Sequence, residues 1–96
     1  MSESHKQLLR ELNDERAAAL LRISKTLESL MLQLRASRER VRAAAAGADR
    51  ERELVAWQSL RARAVTYRWY LEVQREALGL RRHEVLDEFY EMPPLE

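Results

Sequence analysis

From Ser2 to Ala46 the chain contains neither glycine nor proline. A run of more than forty residues without a helix breaker, rich in alanine, leucine, arginine and glutamate, is expected to form one long helix over about 3–46. Ser2 or Ser4 supplies its N-terminal cap. At 1.5 Å per residue the rod is roughly 60 to 65 Å long. Its apolar residues recur mostly at threes and fours: Leu9, Leu12, Leu20, Ile23, Leu27, Leu30, Leu34 and Val41. Such a stripe marks a helix lying along another helix. Arg16, with Asn13 beside it, and Ser37 interrupt the stripe, and packing is expected to loosen there. Leu21 and Leu32 fall off it, one on each flank, and are expected to be exposed.

The first break is Ala46-Gly47-Ala48-Asp49. Glycine suits the C-terminal cap of the first helix and Asp49 the N-cap of a second over about 50–78. So short a link favours an antiparallel hairpin, with the alanines 43–46 marking close helix approach near the turn. Along the second helix, Trp57, Leu60, Ala64, Tyr67, Leu71, Gln74 and Leu78 form a regular seam. Val55, Ala62, Trp69, Tyr70, Val73 and Ala77 make a second apolar group beside it, with Val65 at its edge. Arg61, Arg68, Glu72, Arg75 and Glu76 are left on a polar arc of roughly 100°. One antiparallel helix cannot cover so much apolar surface, so a third segment, a second copy or another protein is expected to share the work.

Gly79 is expected to end the second helix, with a short third helix over about 81–91 whose apolar side is Val85, Leu86, Phe89 and Tyr90. The alternative is that Gly79 is tolerated and the second helix continues to Tyr90, at a cost of about 1 kcal/mol relative to alanine. The first helix overhangs the second, which leaves room for the third beside its N-terminal half. Pro93 and Pro94 stop the third helix, and the tail 92–96 reads as a frayed end, with a peptide that docks in a groove as the other reading.

The expected fold class is therefore all-α: a long antiparallel hairpin with a short third helix, dimerising into a four-helix-type bundle with the second helices inside. Ninety-six residues make one domain. The chain has no cysteine, hence no disulfides or thiol chemistry, and no apolar run long enough to span a bilayer. A soluble, cytoplasmic protein is expected, and the preference for arginine over lysine fits a GC-rich bacterial genome.

No residue pattern points to catalysis or a cofactor. Serines lack a base and an orienting acid nearby in sequence, there is no glycine-rich phosphate loop, and Glu72 is expected to pair with Arg68 or Arg75 while Glu76 is solvated. His83 with Asp87 supplies two ligands one helical turn apart where a zinc site needs three or four, so no metal is expected. Net charge is only +1, yet the charges are segregated. Eight arginines stand against four acids between Arg35 and Arg63, and five acids with no lysine or arginine follow His83. Arg35, Arg38, Arg40, Arg42, Arg50 and Arg52 are the candidate anion contacts, and a nucleic-acid-associated regulator is the alternative function. The primary expectation is a protein-protein interaction module, an adaptor, assembly factor or small chaperone, binding itself or another protein. Trp69 and Tyr70 carry that expectation, because adjacent rings cannot both enter one helix contact. With Val65, Val73 and Phe89 they form the candidate interface.

Overall fold

The structure is a computed structural model, described here for residues 2–95. It is all-helical among those residues and measures 67 × 21 × 14 Å. Helix α1 spans Glu3–Ala43, α2 spans Ala48–Ala77 and α3 spans Glu84–Phe89. The Ser2 side chain caps α1, accepting from the backbone N–H of His5 at 3.1 Å. Two distant contacts between α1 and α2 set the antiparallel register. Arg40 pairs with Glu53 at 3.3 Å near the hairpin tip, and Arg16 Nη1 donates to the Ala77 carbonyl at 3.3 Å near the open end.

The tip differs from the expected boundaries. Helix α1 stops at Ala43, three residues short of 46, with Ala44 extended, and Gly47 is the N-cap of α2. Gly47 has φ 112° and ψ −150°, a region essentially confined to glycine. Reversing the chain in so few residues needs that backbone geometry, so the glycine goes to the start of α2 and not to the end of α1. Asp49 accordingly lies inside the first turn of α2, where it pairs with Arg52.

The other glycine closes α2. Gly79 has φ 86°, the Leu80 N–H reaches the Arg75 carbonyl at 2.9 Å and the Gly79 N–H reaches the Glu76 carbonyl at 2.9 Å. That pair of bonds is a Schellman cap. Arg16 adds its guanidinium to the same helix end, where the exposed carbonyls carry partial negative charge. The residue that interrupts the α1 stripe therefore marks where α2 stops.

The core lies between the two long helices: Leu27, Leu30, Met31, Leu34 and Val41 from α1 with Trp57, Ala64 and Leu71 from α2. Leu86 of α3 joins it. Ser37 is fully buried there and its hydroxyl has no hydrogen-bond partner. A buried, unbonded hydroxyl costs on the order of 1 to 3 kcal/mol. Ser37→Ala is expected to raise stability by about 1 kcal/mol, read as a higher urea midpoint at unchanged slope.

Helix α3 does not lie along the overhanging start of α1. It turns back onto the middle of the hairpin, where Leu86 and Tyr90 share a small cleft with Leu20, Ser24 and Leu71. Residues 92–95 of the tail are docked and not frayed, and Glu96 lies outside the described residues. Pro93 is buried, Met92 and Leu95 pack on the core, and Arg42 Nε donates to the Leu95 carbonyl at 3.3 Å. Residues 84–95 thus form a strap running from the open end toward the tip. The start of α1 is left bare, with Leu8, Leu9 and Leu12 exposed.

Candidate functional site

The seam of α2 faces α1, and this fixes where its remaining faces point. On one side of the seam Arg68, Leu71 and Arg75 turn toward the strap. Arg68 pairs with Asp87, and Arg75 donates to the Arg82 carbonyl at 2.9 Å and to His83 Nδ1 at 3.4 Å. The strap therefore covers the edge that carries the polar arc. The second apolar group is left in water: Trp69 is 58% exposed, Val55 65%, and Val65, Tyr70 and Val73 about two-fifths each.

Within that group Val65, Trp69 and Val73 follow one another at intervals of one helical turn, while Tyr70 leans back toward the seam. The rings touch. Tyr70 meets Trp69 with centroids 5.6 Å apart and meets Tyr67 edge-on at 5.4 Å. Tyr67 is half-buried against the core, so the aromatic group is anchored at one end and free at the other. Phe89 does not belong to it. It is 64% exposed on the far side of the strap, near Glu28, Met31, Leu32 and Arg35, and the structure separates it from the other four candidate interface residues. Leu21 and Leu32 are exposed on α1.

The candidate anion contacts are largely occupied by the protein's own groups. Arg38 and Arg42 approach Glu39 at 3.5 and 3.1 Å, Arg40 approaches Glu53, and Arg52 pairs with Asp49. Arg35 lies beside Phe89 and Tyr90, and Arg50 lies beside Leu95. No local sequence pattern indicates that Arg35, Arg42 and Arg50 lie beside the strap, with Arg42 donating to the Leu95 carbonyl. The reversal at Gly79 brings the acidic C-terminal segment back alongside the arginine-bearing helices.

The polar cluster at the strap's start is likewise structural. His83 Nε2 lies 3.0 Å from Glu76 Oε1, and its Nδ1 accepts from Arg75. Between Glu76 and Arg75 the ring ties the reversal to α2. Glu76 is thus bound to His83 and not merely solvated. Glu72 has no ion pair among the described residues, since Arg68 and Arg75 are taken up by the strap. Asp87 points to Arg68, and no group of three metal-binding side chains occurs among the described residues. Burial, and then the neighbouring Glu28 carboxylate, push the Tyr90 hydroxyl above its ordinary range, with Ser24 acting slightly the other way.

No family model, no curated protein and no solved structure matches this chain. No helix among the described residues is long and apolar enough to cross a membrane.

Proposed function

We propose that this protein is a non-enzymatic interaction module that works by burying the outer face of α2 against another protein, and that its first partner is a second copy of itself. The observation that carries this reading is the uncovered stripe of Val55, Val65, Trp69, Tyr70 and Val73 on a helix whose seam packs on α1 and whose Arg68 and Arg75 edge is held by the strap. Scattered exposed apolar residues need no explanation, but a contiguous row containing a tryptophan and a tyrosine does.

The face is also asymmetric along its length. Its first half carries small residues, Ser59, Ala62 and Thr66, and its second half carries Trp69, Tyr70 and Val73. Two copies packed antiparallel about a two-fold axis near Thr66 would set the large half of each against the small half of the other. A self-complementary surface of this kind is what a two-fold interface requires. Such a pair of hairpins is a four-helix bundle with the second helices inside. An adaptor, assembly factor or small chaperone works through surfaces of this type, and the pairing of the tip arginines with nearby acids favours this reading over nucleic-acid binding.

Light scattering after size exclusion over a range of concentrations tests the proposal. The wild-type chain is expected to be a dimer. The Trp69→Ala, Tyr70→Ala double variant, whose side chains lie outside the core, is expected to keep its helicity and run as a monomer, since hot-spot aromatics contribute about 2 kcal/mol or more each. A double variant that stays dimeric would refute the assignment of the face. A wild-type monomer would refute self-pairing.

A further inference from the structure

The groove under the strap lies on the other side of α2 from the aromatic face. Arg68 pairs with Asp87, Arg42 holds the Leu95 carbonyl, Arg75 holds the reversal, and Arg35 and Arg50 flank Tyr90 and Leu95. Residues 84–95 carry four acids and no basic residue, with Leu86, Tyr90 and Leu95 as apolar anchors. One direct ion pair, Arg68 with Asp87, joins the basic rim to the acidic segment, and Arg42 and Arg75 hold backbone carbonyls at its two ends. The match is also incomplete, because the buried Nε–H of Arg68 has no acceptor.

The segment has somewhere else to go. If α2 continued through Gly79, Val85 and Phe89 would follow Leu78 and Arg82 at steps of three and four and fall within roughly 60° of the existing seam. The register set by Arg16 and Ala77 would bring Val85 opposite Leu8 and Leu9 on the bare start of α1. All four of these apolar residues are exposed in the observed form. Leu8, Leu9 and Leu12 continue the α1 stripe that packs on α2 and are left exposed beyond the end of α2. Glycine within a helix and Arg82 on the extended seam weigh against that state and keep the strap docked.

We propose that the groove is a receptor for an acidic peptide with spaced apolar anchors, and that residues 84–95, a short helix followed by a non-helical tail, are its built-in competitor, leaving it by extending α2 along the start of α1. Gly79 sets the balance. Alanine there disfavours the left-handed cap and favours continuous helix, so Gly79→Ala shifts the population toward the open state. Apparent affinity scales with the open fraction, so a gain of roughly tenfold or more is expected.

The test is fluorescence anisotropy of a labelled synthetic peptide with the sequence of residues 84–95, titrated with the full chain. Gly79→Ala and Asp87→Arg, which repels Arg68 without touching the core, are each expected to bind about tenfold tighter than wild type. A scrambled peptide should not bind. A Leu9→Cys, Val85→Cys pair should form its disulfide faster when Gly79→Ala is added. Should Gly79→Ala fail to fold, Asp87→Arg decides alone. Equal binding by wild type and the folded variants would overturn the proposal. So would displacement of the peptide by a single-stranded oligonucleotide of similar charge, which would assign the groove to nucleic acid.

Discussion

Trp57→Ala is expected to lower the stability of the chain by about 3 to 5 kcal/mol. The ring is 8% exposed at the hairpin's tip-proximal half, in a core that only two helices and a thin strap enclose. So slender a rod has few neighbours able to move into the space, and truncation leaves a cavity in addition to the lost transfer energy. A small domain holds roughly 5 to 15 kcal/mol in total, so the variant should lose a large share of its stability. The indole Nε1–H separates the two contributions of the residue. It is buried without a partner, so it adds cost and no bond. Trp57→Phe, which keeps most of the ring and discards the orphaned donor, is expected to lie within about 1.5 kcal/mol of wild type. Urea unfolding followed by helical circular dichroism measures both. Equal losses for phenylalanine and alanine would mean that Trp57 acts through its nitrogen and not through its volume.

The hairpin was legible because its determinants are local and periodic. The absence of glycine and proline from 2 to 46, two glycines at the two reversals and two stripes at threes and fours specify helix, turn and facing surfaces without reference to tertiary contacts. The same logic placed Trp69, Tyr70, Val65 and Val73 off the seam, and the structure has them in water. What could not be read was the course of residues 80–95. Their docking depends on an arginine rim assembled from α1 and α2, contributed by residues as far apart as Arg35 and Arg75, and no window of sequence holds both. Phe89 was misgrouped for the same reason. Its apolar character was plain, but which helix it would lie beside was decided by the Gly79 cap and by the Arg68 pair with Asp87. Arg16 and Ser37 looked alike as interruptions of one stripe. One caps a neighbouring helix and the other is buried unsatisfied, a difference set entirely by where α2 ends.

That end point gives the second large effect its contrast. Leu27→Ala and Leu9→Ala remove the same atoms from the same stripe of the same helix. Leu27 is 0% exposed, at the level where α1 meets both α2 and the strap, and its truncation is expected to cost about 2 to 5 kcal/mol. Leu9 is 43% exposed, beyond the Arg16 contact that closes α2, and in the observed form its truncation should cost no more than about 0.5 kcal/mol. Helix propensity cannot produce the difference, since leucine and alanine are both strong helix formers and alanine is the better. Only burial separates the two sites. The comparison also reports on the extended form of α2, in which Leu9 would be covered by Val85. Leu9→Ala should therefore be nearly silent in the wild-type chain but cost about 1 kcal/mol or more in a Gly79→Ala background, measured as a double-mutant cycle by urea unfolding. Additive losses in that cycle would leave Leu9 without a partner on residues 80–89, and with it the extended form without its driving force.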